Sequence, residues 1–267
     1  MSNAKNYVWN ATDYAKNSTN QLTWARELIP KLQLKDNEAL LDIGCGDGKI
    51  TAQLAKALPN GKVVGIDNSK EMIKLARTTF PSEEHPNLSF ELVDAETIPY
   101  QGEFDVAFSN AALHWVLDQK AVLRGVYRSL KPRGRILFQM AGKGNAFAIL
   151  GLFDTLRVMP QWKKYFDNFT FPYAFLDSTE YRALLEETGL KAVRVESFPR
   201  DMTFRDAEGL AGWIRTTWLP YTQRVPEQMR DGFVKEIVTR YLVDHPADNA
   251  GVIHLAMVRL EIEAIKP

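Results

Sequence analysis

Short apolar segments alternate with amphipathic helical segments over residues 39–140, and this alternation admits few folds. Segments such as Val63–Ile66 are apolar throughout, which is typical of strands in a parallel sheet that helices cover on both faces. The predicted strands are Ala39–Ile43, Lys62–Ile66, Leu88–Val93, Phe104–Ser109 and Arg135–Met140. The predicted helices between them are Lys49–Leu58, Lys70–Phe80 and Lys120–Leu130. The alternation predicts a doubly wound α/β fold with right-handed crossovers.

The pattern becomes irregular after Gly142, where residues 145–181 are rich in aromatic side chains. Asp177 and Glu180 are spaced as a capping box at the start of a helix that Gly189 would end. The remaining segments predict strands at Ala192–Phe198 and Val252–Ile262 and helical stretches at 206–218 and 226–243.

Composition and charge exclude several classes of protein. Lys plus Arg and Asp plus Glu are both 33, so the net charge is zero and the basic excess of a nucleic-acid binder is absent. A single cysteine excludes an intrachain disulfide. His85, His245 and His254 show no ligand spacing with one another, so we predict no metal site. The sequence contains neither an 18-residue apolar run nor a signal-peptide core. We therefore expect a cytoplasmic protein without a membrane or nucleic-acid partner; the sequence indicates no oligomeric state.

A glycine-rich loop follows the first predicted strand and opens a helix. Gly44, Gly46 and Gly48 alternate with other residues, and glycines let a backbone approach a ligand closely. The turn after a parallel strand is where open α/β sheets bind ligands. The spacing is G-x-G-x-G, whereas the dinucleotide fingerprint is G-x-G-x-x-G, and Asp47 in the loop would repel a pyrophosphate. The loop therefore favours a cofactor without phosphates.

At these residues the sequence resembles the class I S-adenosylmethionine-dependent methyltransferases. Asp42 and the three glycines match the family's first motif, and Asp67 and Asp94 match the acids that end its second and third strands. The segments 104–110 and 130–134 match the fourth strand and the turn before the fifth. The resemblance implies a mostly parallel seven-stranded sheet whose last strand is antiparallel, S-adenosylmethionine as cofactor, and methyl transfer without a protein nucleophile or a metal.

The resemblance also implies a division of the chain and a cofactor site. We interpret residues 1–267 as one methyltransferase domain, in which 1–34 close over the cofactor, 35–142 bind it, and 143–250 form the sheet end and a helical substrate lid. The predicted cofactor-binding residues are Gln21, Asp42, Gly44, Cys45, Gly46, Gly48, Asp67, Asn68, Met72, Asp94, Ala95, Glu96 and Asn110.

A narrower resemblance is to the small-molecule carboxyl methyltransferases of the trans-aconitate and juvenile hormone acid type. It depends on the N-terminal arm, on the segment 110–116 after the fourth strand, and on the segment 212–221. It implies a small organic acid as acceptor and a methyl ester as product. The predicted acceptor-binding residues are Tyr14, His114, Trp115, Trp213, Arg215 and Tyr221.

Three alternatives remain open from the sequence. His114 could act as a general base, which a carboxylate does not need but an amine or phenol acceptor would, so N- or O-methylation of another small molecule is the first. The second is an NAD-linked oxidoreductase, and the third is a non-catalytic module that keeps the cofactor pocket. Fold alone does not decide among acceptors.

Overall fold

The computed structural model describes residues 19–267, with side chains from Trp24 onward. Its single sheet has seven strands in the order β3-β2-β1-β4-β5-β7-β6. The strands are β1 (Ala39–Ile43), β2 (Lys62–Asp67), β3 (Leu88–Leu92), β4 (Phe104–Asn110), β5 (Leu130–Ala141), β6 (Lys191–Phe204) and β7 (Ile253–Ile265). Strands β1 to β5 pair in parallel, and β7 is antiparallel to both β5 and β6. The predicted mostly parallel seven-stranded α/β fold with an antiparallel last strand is therefore confirmed.

Nine α-helices connect or follow the strands within the described residues. They are α1 (Thr19–Leu28), α2 (Lys49–Ala57), α3 (Lys70–Thr79), α4 (Gln119–Ser129), α5 (Phe147–Leu156), α6 (Ser178–Glu187), α7 (Ala207–Thr217), α8 (Leu219–Thr222) and α9 (Glu227–Asp244). The predicted capping box is present at α6, where Asp177 accepts from the Glu180 backbone and the Glu180 side chain accepts from the Asp177 backbone.

Helices cover both faces of the sheet because the strands are apolar on both sides. Leu40 and Val63 pack in the cluster that contains α2 and α3, whereas Leu41 and Val64 pack in the cluster that contains α4 and α6. All four side chains are fully buried. Complete burial of one such aliphatic side chain stabilises the fold by roughly 1.5–3 kcal/mol.

A third apolar cluster lies under α5, α7, α8 and α9 and is dominated by aromatic rings. Phe153 of α5 stacks on Tyr221 of α8 with ring centroids 4.0 Å apart, and Phe233 of α9 lies 6.1 Å from the same Phe153 ring. The segments predicted to form a helical lid thus form helices that share an aromatic core with one another.

The last two strands are longer than the sequence predicts. Pairing between β6 and β7 continues from Lys191–Ile265 to Phe204–Ile253, so residues 199–204 belong to the sheet rather than to an insertion. The pattern Pro199-Arg200-Asp201 hides this strand, because it interrupts the apolar sequence from which strands are inferred. Antiparallel pairing with β7 supplies the hydrogen bonds that hold these residues extended.

Asp42 near the end of β1 links the sheet to α2. Its Oδ2 atom accepts a hydrogen bond of 2.7 Å from Thr51 Oγ1, and the residue is 2% exposed. Burial raises the pKa of Asp42 to about 7, because the charged form is disfavoured away from water. The pKa of Asp105 is instead lowered. Burial opposes ionisation of this carboxyl as well, but hydrogen bonds from Ala39 N and Lys131 Nζ outweigh it.

We predict that Asp42→Asn removes a pH dependence from stability. In the unmodified protein the folded state holds a proton that the unfolded state releases, so this group's contribution falls as pH rises from 3.8 to about 7. The free energy of unfolding of Asp42→Asn relative to the unmodified protein should increase over that range, by at most about 4 kcal/mol. Urea unfolding at a series of pH values measures this difference, and a difference that stays constant would contradict it. Asp105→Asn is the control: because the folded pKa of Asp105 lies below 3.8, the relative stability of this variant should fall as pH rises to about 3.8 and then stay constant.

Candidate active site

A pocket opens at the carboxyl ends of β1, β2 and β4, where the sequence analysis places the ligand. One side, which we call the cofactor side, is lined by the glycine loop and by residues after β2 and β3. The other, which we call the acceptor side, is lined by the segment after β4, by residues 173–175, by the end of α7 and by β7.

The glycine loop bends sharply on the cofactor side. Gly44 N and Cys45 N both donate to Ile66 O, at 2.8 and 3.0 Å, which ties the loop to β2. A Cβ atom on Gly44 would lie 2.2 Å from Ala112 Cβ, so only glycine lets the loop approach the segment after β4. Gly46 has a φ of 55°, and a Cβ there would meet no atom within 4 Å. The loop therefore presents bare backbone to the pocket at Gly46.

Asp67 ends β2 with its carboxylate held in a fixed orientation. Oδ2 accepts from Gly46 N at 3.1 Å and Oδ1 accepts from Ser69 N at 2.9 Å. Burial raises the pKa of Asp67 although these backbone donors oppose the shift. Beside it, Met72 and Ala95 line an apolar part of the pocket. A hydrogen-bond acceptor next to an apolar slot suits a nucleoside, which presents two ribose hydroxyls and a flat base.

His114 lies on the acceptor side, in the 3₁₀ turn Leu113–Trp115 that follows β4. The side chain is buried among aromatic rings, with centroids 6.1 Å from Tyr173 and 5.8 Å from Phe175. Burial and, to a smaller extent, the positive charge of Arg259 together lower the pKa of His114 to about 3. The imidazole is therefore neutral at physiological pH and is a weak base.

Arg259 of β7 lines the acceptor side and is 4% exposed. Its guanidinium lies over the Trp24 ring, with Cζ 4.1 Å from the ring centroid, in a cation–π contact. Sequence reasoning missed this residue because the pattern at Val252–Ile262 indicates only a strand. An arginine in the middle of a strand predicted to be buried was the available signal, since such charges are rarely buried without a role.

The pocket brings together ten of the predicted site residues. On the cofactor side these are Gly44, Gly46, Asp67, Asn68, Met72 and Ala95; Asn110 lies at the end of β4; on the acceptor side are His114, Trp115 and Trp213. Sequence reasoning also missed other lining residues on the acceptor side, namely Asn145, Tyr173, Phe175, Thr217 and Met257.

Four predicted cofactor residues lie next to the lining rather than in it. Asp42 is bonded to Thr51; Cys45 is buried with Sγ 3.9 Å from Gly46 O; Gly48 caps the start of α2; and Asp94 accepts from Glu96 N. Through these contacts the four residues support the loops that line the pocket. Glu96 is outside the lining as well.

Two predicted acceptor residues are not brought into the pocket. Tyr221 is 1% exposed and lies in the aromatic cluster against Phe153, and Arg215 extends from α7 toward Glu208, with Nη1 3.7 Å from Oε1. Tyr14 lies outside the described residues, and Gln21 lies in α1 with a side chain that is also outside them.

Two kinds of feature are absent from the described residues. No cluster of three or more His, Cys, Asp or Glu side chains in that part of the chain is arranged to hold a metal ion. No helix among residues 19–267 combines the length and apolarity needed to cross a membrane.

Comparisons with known proteins agree with this geometry. A family model described as a methyltransferase domain matches residues 34–189. The chain is 34% identical to the uncharacterized methyltransferase C70.08c of Schizosaccharomyces pombe, over 97% of this chain and 98% of that protein. It is 29% identical to the trans-aconitate 2-methyltransferase of Variovorax paradoxus, over 97% and 98% of the two chains. The fold is similar to Haemonchus contortus phosphoethanolamine N-methyltransferase 2 in complex with S-adenosyl-L-methionine, with a TM-score of 0.60, 20% identity, and coverage of 96% of this chain and 56% of that one.

Gly46→Ala and Gly102→Ala test the loop as a matched pair. Both glycines have positive φ, 55° and 63°, and an added Cβ would meet no protein atom within 4 Å at either. Each substitution should cost about 1–2 kcal/mol of unfolding free energy because an L-residue is strained there. Since Gly46 alone of the two lines the pocket, only Gly46→Ala should weaken S-adenosylhomocysteine binding, by at least about tenfold in calorimetric titration. Equal affinities of the two variants would show that the loop does not contact the cofactor.

Proposed function

Because this chain belongs to the methyltransferase domain family and is an S-adenosylmethionine-dependent methyltransferase, we propose that its acceptor is the carboxylate of a small organic acid and its product a methyl ester. The observation that carries the proposal is the buried Arg259 guanidinium on the acceptor side of the pocket, beside a histidine that is neutral.

The cofactor side fits S-adenosylmethionine. Gly44 and Gly46 would let the methionine part approach the backbone, Asp67 would accept hydrogen bonds from the ribose hydroxyls, and Met72 and Ala95 would pack on the adenine. When bound, this cofactor supplies a methyl group on a positively charged sulfonium. The protein's part is to hold the acceptor in line with that methyl group and to exclude water, and positioning of this kind can lower a barrier by about 7–11 kcal/mol.

Arg259 is suited to bind a carboxylate. Its guanidinium presents donors in a planar fork that matches two carboxylate oxygens, and burial strengthens such a charged pair. The Trp24 ring on one face of the guanidinium limits its rotation and keeps the fork oriented. An acid bound there would be held by its charge while the rest of the molecule contacts the aromatic walls.

The state of His114 supports a carboxylate over an amine or a phenol. A carboxylic acid with a pKa near 4 is already ionised at physiological pH and needs no base. An amine or a phenol must lose a proton, and a histidine with a pKa of about 3 accepts one poorly. A neutral imidazole can still donate one hydrogen bond to a carboxylate oxygen, so His114 suits orientation better than base catalysis.

The relatives add independent support. The trans-aconitate 2-methyltransferases carry a carboxylic acid in their name, and one of them aligns over 97% of this chain. The acceptor side is walled by Trp115, Tyr173 and Trp213, which suits a small molecule and provides no extended basic surface for a nucleic acid.

Arg259→Met tests the proposed acceptor. The variant keeps the length of the side chain and removes the charge, so KM for an accepted acid should rise by about tenfold or more, while the affinity for S-adenosylhomocysteine stays the same. The assay follows labelled methyl groups from S-adenosylmethionine into base-labile esters, with 3-phenylpropanoate and trans-aconitate among the acids. Arg124→Met, on the exposed face of α4, is the matched control and should behave as the unmodified protein. An unchanged KM in folded Arg259→Met, or transfer to amines instead of acids, would refute carboxyl methylation.

His114→Asn separates orientation from base catalysis. Asparagine keeps a hydrogen-bond donor and cannot act as a base, so kcat should fall less than about tenfold and should not vary between pH 6 and pH 9, roughly the range in which an ordinary histidine base would titrate. A base would instead make kcat fall by about 10²–10⁴-fold. A loss of that size, with S-adenosylhomocysteine affinity unchanged, would favour an amine or phenol acceptor.

A further inference from the structure

Three polar atoms on the acceptor side of the pocket are buried and lack a hydrogen-bond partner among the described residues. They are Nε1 of Trp218, Oγ1 of Thr217 and Nδ1 of His114. All three side chains line the pocket, Trp218 is 2% exposed, and His114 is 7% exposed. A buried polar atom without a partner costs free energy, so a cluster of three within one pocket points to a ligand that completes them.

Equivalent residues elsewhere in the protein have their partners. Trp162 Nε1 donates to Glu236 Oε2 at 2.8 Å. Thr216, one residue before Thr217 in α7, donates through Oγ1 to Gly212 O at 2.8 Å, as helical threonines commonly do. Thr222 donates in the same way to Trp218 O at 3.3 Å. Among these tryptophans and threonines, the partner is missing only at the two that line the pocket.

The chemistry of these atoms defines the ligand group. An indole N–H can only donate, so the group opposite Trp218 must carry a lone pair. The Thr217 hydroxyl can donate to the same atom. Tyr173 lies beside both residues, with its ring centroid 5.3 Å from that of Trp218 and its hydroxyl donating to Thr217 O at 3.4 Å. A ligand oxygen that reaches this corner would meet two donors side by side.

The charge of the pocket limits that oxygen to a neutral group. Arg259 is the only lysine or arginine among the described residues that line the pocket, and the proposed function assigns it to the carboxylate that is methylated. A second carboxylate near Trp218 would be buried without a countercharge, which is strongly unfavourable.

We propose that Trp218 and Thr217 form a second polar subsite that binds an uncharged oxygen of the acceptor, a carbonyl, ether or hydroxyl. The substrate class is therefore an oxygenated acid with one carboxylate and an otherwise apolar body, which contacts Trp115, Tyr173 and Phe175. This inference rests on the proposed function for the position of the carboxylate, and it excludes a tricarboxylate as the preferred acceptor.

Calorimetry on the full-length protein saturated with S-adenosylhomocysteine tests the subsite. The probes are 3-phenylpropanoate, its 2-oxo, 2-hydroxy, 3-oxo and ring 4-hydroxy derivatives, and phenylsuccinate as the diacid. At least one oxygenated probe should bind about tenfold or more tightly than 3-phenylpropanoate, and phenylsuccinate should bind more weakly. Trp218→Phe and Thr217→Val should remove the advantage of that probe and leave the affinity for 3-phenylpropanoate within about twofold.

Thermal unfolding of the ligand-free protein supplies a second measurement. Trp218→Phe and Thr217→Val remove atoms that have no partner, so each should lower Tm less than the same substitution at a residue whose side chain is hydrogen-bonded. The matched controls Trp162→Phe and Thr222→Val break existing hydrogen bonds, so Tm should fall and the preference for the oxygenated probe should persist.

The outcomes separate the subsite from the proposed function. If 3-phenylpropanoate binds, Arg259→Met weakens it, and no oxygenated probe is preferred, the subsite is refuted and carboxyl methylation stands. The subsite is likewise refuted if phenylsuccinate binds most tightly, or if Trp218→Phe and Thr217→Val weaken every probe equally and lower Tm as much as the matched controls do. If no acid binds and Arg259→Met changes nothing, the proposed function and the subsite both fail.

Discussion

The close contact between Gly44 and Ala112 joins the two sides of the site. No Cβ atom fits at Gly44, because it would lie 2.2 Å from Ala112 Cβ, so the glycine loop touches the segment that carries His114. Ala111, the residue before Ala112, has a φ of 56°, which is unusual for a residue other than glycine. Its backbone N donates to Gln139 O at 2.7 Å. These backbone contacts fix the glycine loop and the segment after β4. They thereby fix the distance between the cofactor side and the acceptor side of the pocket.

The antiparallel strand β7 carries two buried charged residues, Arg259 and Glu261. It lies between β5 and β6; its Arg259 lines the pocket, and its Glu261 is fully buried. Burial opposes the ionisation of Glu261, but hydrogen bonds from Lys31 and Arg194 lower its pKa. Glu261 is thus compensated by two cations of the scaffold. Arg259, two residues earlier on the same strand, lines the pocket.

Most of the fold could be predicted from sequence because the parallel strands and their helices carry strong local patterns. The glycine loop and Asp67 at the end of β2 can also be recognised locally, since the residues that form the cofactor side lie next to strand ends.

The acceptor side could not be predicted in this way. Arg259 comes from a strand, Tyr173 from a loop and Trp218 from a helix end. These segments are distant in sequence, and only the tertiary packing of the chain brings them together. Arg215 and Tyr221 illustrate the same limit. The helix α7 that carries Arg215 is predicted correctly, the short helix α8 that carries Tyr221 is not, and packing directs both side chains away from the pocket.

Burial is the common cause of the site's electrostatics and connects them to the proposed reaction. It raises the pKa of Asp67 and lowers that of His114, so both groups are less readily charged than in water. Transfer of a methyl group from a sulfonium to a carboxylate removes one positive and one negative charge, and such a reaction is slowed by water that solvates the separated ions. In the proposed reaction, a pocket walled by aromatic rings would exclude that water, and Arg259 would attract the anionic acceptor. Methyl transfer in such a pocket would need neither a strong base nor a nucleophile from the protein.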